Sequence, residues 1–248
     1  MTLSPDSVLW SALAVTMAYT VFGLTGFGAS IAAMPLLAHF FPLRFAVPMM
    51  LVFDLCAGFL IGWRNHAVID KSEVKRLVPF MLLGIALGAT LLVKAPEGAL
   101  LLSLGCFVLA YAAYNFLFRP GGAPIVPLWS APLGTLGGMF SALFGAGGPI
   151  YAIYLARRLP EKSVLRATVS SVIMLSSLSR LFVFIAAGLY AQRHLLVLAL
   201  ALVPCALLGL FIGNRLHHRL PARHVVQAVW VLLVVGGASL IRRGLGAI

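Results

Sequence analysis

Apolar residues run through this chain in long unbroken stretches, and the charges gather between them. Two charge-free stretches, 7–43 and 120–156, are each 37 residues long. Further apolar runs cover roughly 45–63, 77–93, 98–118, 167–192, 195–214 and 225–241. The runs are continuous rather than alternating, which predicts helices and not strands. One bilayer crossing takes about 20 residues, so 37 residues exceed a single straight helix. They suit two short helices joined at a break. Each stretch contains a glycine-rich interruption, GFGASIAAMPLL at 26–37 and GAGGPIYAIYLA at 145–156.

The halves match again further on. LVPFMLLGIALG (77–88) aligns with LVPCALLGLFIG (202–213), sharing L-V-P, then L-L-G, then a second glycine. The Gly/Pro-rich stretch RPGGAP (119–124) reads as the connection between them. The expected fold is therefore an all-α polytopic membrane protein of two inverted repeats, 1–119 and 120–248. Each repeat is a glycine-broken helical hairpin plus three transmembrane helices, with 8–10 spans in all.

Charge decides between the span counts. If each 37-residue stretch crosses once, the Lys and Arg outside the membrane split 8 against 9. If each crosses and returns, one face receives 12 of them, from Arg64, Lys71 and Lys75 to Arg223, and the other receives 5. The second split is what the positive-inside rule expects. Ten crossings make five per repeat, and an odd number inverts the second repeat, a plan common among secondary transporters. Both termini then fall outside the cytoplasm.

Composition agrees with the pattern. Of 248 residues 62% are hydrophobic and 10% charged, and mean hydropathy is +1.05, against about a quarter charged in soluble domains. The net charge of +12 reads as topology and contact with anionic lipid rather than nucleic-acid binding. No cleavable signal is expected, because Asp6 is the only charge ahead of the first run. Cys56, Cys106 and Cys205 lie inside apolar stretches without CxxC spacing, so neither a metal site, a disulfide framework nor a cofactor is expected. They read as buried packing residues.

Unpaired backbone in hydrocarbon costs several kcal/mol per group, so irregular chain survives only against protein or a watery cavity. Both breaks precede a new helix, for which Ser30 suits the N-cap and Pro149 the first helical position. The N–H groups and dipole of such a start favour an anion, and glycine lets it approach closely. The candidate substrate-binding residues are Gly26, Phe27, Gly28, Ala29 and Ser30, and Gly145, Ala146, Gly147, Gly148 and Pro149. The alternative is that the glycines serve close helix packing. Arg180, the one cation well inside a span, joins the candidates. Asp54, the one acid inside a span, is the candidate coupling residue, since a proton-coupled carrier needs a group that gains and loses a proton. A second reading pairs Asp54 and Arg180 as a strut between helices. Ser170, Ser171, Ser176, Ser177 and Ser179 share the span of Arg180. They either donate to an oxyanion or bond back to their own helix. His39 reads as interfacial. No nucleophile–base arrangement, Walker loop or dinucleotide fingerprint is present.

Together these residues resemble the sulfite exporter TauE/SafE family. The resemblance lies in Gly26–Ser30 through Pro35-Leu36-Leu37 and in Gly145–Pro149 with its apolar run. It extends to the loop with Arg64, His66 and Asp70 before LVPFMLLGIALGATL, and to LLGLFIGNRL (207–216) with the basic loop after it. Ala29 and Ser30 stand where the family's first motif often has Gly, and Tyr154 where the second often has Pro. The resemblance implies a carrier of sulfite, sulfonates or related sulfur-containing anions, proton-coupled, in a bacterial inner membrane. Its partners are then a small anion and the lipid bilayer, with a homo-oligomer compatible. A passive anion channel would share the breaks without needing Asp54. An intramembrane enzyme would need clustered polar groups at depth.

Overall fold

The computed structural model describes residues 5–25, 28–62, 69–117, 124–216 and 222–247. Among them the chain forms ten α-helices and no strand. In order they are α1 (Pro5–Thr25), α2 (Ala29–Leu37), α3 (Leu43–Gly62), α4 (Lys71–Lys94) and α5 (Glu97–Leu117), then α6 (Ser130–Phe144), α7 (Gly148–Ala156), α8 (Lys162–Ala186), α9 (Arg193–Leu216) and α10 (Ala222–Gly246). One turn of 3₁₀ helix, Pro127–Trp129, leads into α6. Helices α4, α8, α9 and α5 as far as Tyr114 are long and apolar enough to cross a membrane, and Val8–Leu24 of α1 is a shorter apolar helix.

The ten-crossing count needs correction. Helices α2 and α7 have nine residues each, about 13 Å at 1.5 Å per residue. That is less than half of a hydrocarbon core about 30 Å thick. The two arms of the first hairpin are also unequal, 21 residues in α1 against nine in α2. Helix α1 runs 21 residues before the glycines stop it, leaving only a short return.

Glycine and polar caps set these boundaries. Gly28, just before α2, has φ +92°, and Gly145, just after α6, has φ +70°, a backbone region that only glycine enters without cost. Ser30 is not the N-cap, since α2 already starts at Ala29 with Gly28 as its cap. Pro149 lies in the first turn of α7, one residue past the expected position. Helix α4 is capped by Asp70, whose Oδ1 accepts the N–H groups of Ser72 (2.9 Å) and Glu73 (3.0 Å). Such a cap contributes about 1 kcal/mol.

The tightest packing is backbone on backbone. A methyl added at Gly84 of α4 would lie 2.1 Å from the Thr135 carbonyl oxygen of α6, and one at Gly88 2.5 Å from that of Met139. On α9 a methyl at Gly209 would lie 2.3 Å from the Thr16 oxygen of α1, and one at Gly213 2.3 Å from that of Thr20. Contacts this close need glycine. Both seams run parallel, since the residue numbers rise together along each pair.

Hydrogen bonds mark two ends of the bundle. At one, Arg243 donates to Ala38 O (2.8 Å), His39 meets Ser239 Oγ (2.9 Å), Leu43 N donates to Glu97 Oε1 (2.7 Å) and Arg44 reaches Ala95 O (2.8 Å). At the other, Asp70 N donates to Thr168 Oγ1 (3.1 Å), Arg157 to Tyr114 Oη (3.3 Å) and Arg158 to Ile125 O (3.1 Å). Helix α2 ends at the first and α7 at the second, so the two hairpins enter from opposite ends. None of the three cysteines is buried as expected. Cys56 and Cys205 are half-buried and Cys106 lies on the outer surface.

Candidate functional site

The two breaks meet. A methyl on Gly145 would lie 2.6 Å from Ser30 Oγ and 3.4 Å from Arg180 Nη1, so the second break, the first break and the lone cation adjoin. They line one cavity of about 840 Å³. Gly28, Ala29 and Ser30 come to it from the first break, and Gly145, Ala146, Gly148 and Pro149 from the second. Asp54 and Arg180 line it too. Gly147 does not. A methyl there would lie 2.4 Å from Gly137 O, so it serves packing against α6. Gly26, Phe27, Arg64 and His66 lie outside the described residues.

Asp54 and Arg180 form an ion pair across α3 and α8, Oδ2 to Nη2, at 3.3 Å. The Arg180 side chain is 2% exposed and that of Asp54 13%. The pair joins two helices and also faces the cavity. Arg180 Nη1 donates to Ser141 O at 3.0 Å and Nη2 to Ser177 Oγ at 3.1 Å. Ser141 O also accepts Gly145 N (2.8 Å) at the C-terminus of α6, where the helix dipole favours a cation. Arg180 Nε is buried with no hydrogen-bond partner. A guanidinium carries five donors in a planar fork suited to oxyanions, and this one is not saturated.

Asp54 draws on three helices besides its own. Tyr19 Oη donates to its Oδ1 at 2.7 Å, and Ser30 Oγ stands 3.5 Å from its Oδ2. The serines of α8 divide. Ser171 and Ser179 bond back to Ala167 O and Leu175 O at 2.9 and 2.8 Å. Ser176 instead meets Ser141 Oγ at 2.8 Å and Tyr151 Oη at 3.4 Å. His39 uses both ring nitrogens, on Pro35 O and Ser239 Oγ, at one end of the bundle.

Tyr19, Tyr151 and Ser141 were not singled out from sequence. A buried phenol needs a polar partner, so Tyr19, inside a charge-free stretch, carried a usable signal. A second polar cluster also went unforeseen. Glu73 of α4, 3% exposed, accepts from Arg158 Nη2 (2.8 Å), Arg158 Nε (3.1 Å), Arg76 Nη1 (2.8 Å) and Tyr154 Oη (2.7 Å). Donation to this carboxylate raises Arg158 above the ordinary arginine range, so it stays charged at any working pH. The cluster ties the end of α7 to α4.

The model of the sulfite exporter TauE/SafE family matches residues 11–240. The chain belongs to the TauE/SafE family. It also resembles the probable inner membrane transporter protein TsaS of Comamonas testosteroni, at 27% identity over 193 residues, covering 77% of this chain and 81% of that protein. No solved structure matches it. A TauE/SafE membrane transporter is thus the frame for the cavity. Within it an unsaturated guanidinium, two glycine breaks and a carboxylate line one cavity.

Proposed function

We propose that this TauE/SafE protein is a secondary transporter that moves a small sulfur-containing oxyanion, such as sulfite or a sulfonate, across a bacterial inner membrane, with Asp54 carrying a coupling proton. One observation carries the reading: the two glycine breaks abut at Gly145 and Ser30, beside the unsaturated Arg180, in one cavity. The family and the name of the Comamonas relative support a sulfur-containing substrate and an inner-membrane address.

The division into inverted repeats, 1–119 and 120–248, is part of the same proposal. Thr16 and Thr135 differ by 119 positions, as do Thr20 and Met139 and the glycines that open the two breaks, Gly26 and Gly145. Their carbonyl oxygens receive the matched glycines of the other half's L-V-P motif. Hairpins entering from opposite ends support inversion. Helices α3 and α8, third in each repeat, meet through Asp54 and Arg180. The basic end, with Lys71, Lys75 and Arg158, is then cytoplasmic, and both termini are not. A homo-oligomer fits the lipid-sized apolar exterior.

Anion and carboxylate compete for one guanidinium. Protonating Asp54 releases Arg180 to the anion, so proton and anion bind together. The test is uptake of radiolabelled sulfite, thiosulfate and taurine into proteoliposomes with a pH gradient of either sign. Gradient-driven uptake of at least one is expected. Asp54→Asn should still carry the anion but ignore the gradient. Uptake that ignores the gradient in the parent protein would make it a channel, and no uptake of any sulfur anion would remove the substrate class.

A further inference from the structure

The cavity does not end at Arg180. On α8 it is lined by Ala167, Ser170, Met174 and Ser177 as well as Arg180. From Ala167 to Arg180 the stripe takes 13 residue steps, about 20 Å at 1.5 Å per residue. Its far end lies at the start of α4, where Lys71 and Lys75 line the same cavity. The two lysines are one helical turn apart, so they share a face. Both are exposed.

These charges are uncompensated. Among the described residues the ion pairs are Arg76–Glu73, Arg158–Glu73 and Arg180–Asp54, and neither lysine takes part. The acids of the same turn are already occupied. Asp70 Oδ1 accepts the N–H groups of Ser72 and Glu73, and Glu73 is held by Arg76, Arg158 and Tyr154. Two free ammonium groups therefore sit at the rim of a passage whose lining carboxylate among the described residues, Asp54, is already paired with Arg180, its other walls being apolar or hydroxylic. A cleft with low-dielectric walls and one sign of charge concentrates counter-ions and speeds their arrival.

We propose that Lys71 and Lys75 form an outer anion site at the mouth of the cavity, from which the oxyanion passes along the serine stripe of α8 to Arg180. The division of labour follows from the two cations. An ammonium is a compact, strongly hydrated charge on a flexible stem, and it holds an anion that keeps its water. A guanidinium offers a planar fork and suits the anion after dehydration. The outer site captures, and the inner site selects. This inference rests on the anion-transport reading for its ligand, and its test separates the two.

The first measurement needs no transported substrate. A cysteine is placed on the stripe as Ser170→Cys, and its modification is timed with a sulfonated methanethiosulfonate and with a neutral one of similar size. Protein without the added cysteine gives the background from the native thiols. Lys71→Gln/Lys75→Gln should lower the charged-to-neutral rate ratio about threefold to tenfold at low salt. Lys162→Gln, a basic residue of the same end that does not line the cavity, should leave it unchanged. The second measurement is sulfite flux from the lysine-bearing side. The double variant should raise KM by a similar factor with Vmax kept, and the difference should shrink near 1 M salt, where the Debye length is about 3 Å. A rate ratio untouched by the double variant, or moved equally by Lys162→Gln, overturns the outer site. A lowered ratio in a protein that carries no sulfur anion of the uptake panel keeps the outer site and removes the sulfur-anion transport reading.

Discussion

Glu73 and Asp54 are both acids held inside an apolar bundle, yet their surroundings differ. Glu73 meets two arginines and a tyrosine at 2.7–3.1 Å, three of the four contacts within ordinary charge-assisted range. Asp54 has one short bond, from Tyr19, while its cation stands off at 3.3 Å and Ser30 at 3.5 Å. Glu73 lies outside the cavity and Asp54 on its wall. A saturated carboxylate has nothing left to exchange and serves as a clamp. A loosely held one gives up its cation cheaply, and that suits a site where a visiting anion needs the same donors.

Breaking the loose pair should produce the largest effect on binding. Arg180→Ala is expected to weaken sulfite binding at least 100-fold, on the order of 3 kcal/mol, the size of hydrogen bonds to charged groups. Its melting point should fall far less, since Asp54 borders the cavity and keeps Tyr19. Retained binding with a collapsed melting point would make the pair a strut instead.

Breaking the clamp should do the reverse. Glu73→Ala leaves two arginines facing each other and a phenol without an acceptor. It should cost about 2–3 kcal/mol of stability, the low end for a buried pair because both arginines are partly exposed. Thermal unfolding in detergent reads that loss, and the folded fraction should bind sulfite as the parent does. Reduced affinity there would show that the clamp also shapes the site.

The two left-handed glycines sharpen the contrast at the level of the breaks. Gly145→Ala drives a methyl to 2.6 Å from Ser30 Oγ, whereas Gly28→Ala meets nothing within 4 Å. Both incur a backbone cost of about 1 kcal/mol. Only Gly145→Ala should also lose affinity, by roughly tenfold (about 1.4 kcal/mol). Equal affinities in the two variants would argue against the junction as a binding surface. The smallest change is expected from Tyr154→Phe, a loss of about 1 kcal/mol in stability with flux unaltered.

Sequence reasoning reached the helices, the two breaks and the matched L-V-P motifs, because each depends on local composition. It also left both readings of Asp54 and Arg180 open, and the structure puts the pair both between two helices and on the cavity wall. Other features were beyond its reach for physical reasons. Helices α1 and α2 are apolar on both sides of the break, so hydropathy could not show that one is long and the other short. Lipid and protein interior are both apolar, so Cys106 on the outer surface and a buried cysteine read alike. The Glu73 cluster joins residues about 80 positions apart in sequence, and its arginines were indistinguishable from topology charges. Ser30 missed its capping role by two residues because Gly28 already turns the chain.

The glycine seams bear on how such a molecule can move. Each half of the chain lends its first helix to the fourth helix of the other, α1 to α9 and α6 to α4. Carbonyl oxygens press directly onto glycines there, with no side chain in between to act as a bearing. Pulling residues 1–119 away from 120–248 as rigid bodies would strip both seams at once. Packing units therefore cut across the order of the chain, α1 with α9 and α4 with α6 among them. In the proposed transport cycle, relative motion would fall on the crossing of α3 and α8, where the Asp54–Arg180 pair joins the two helices and an arriving anion would loosen it.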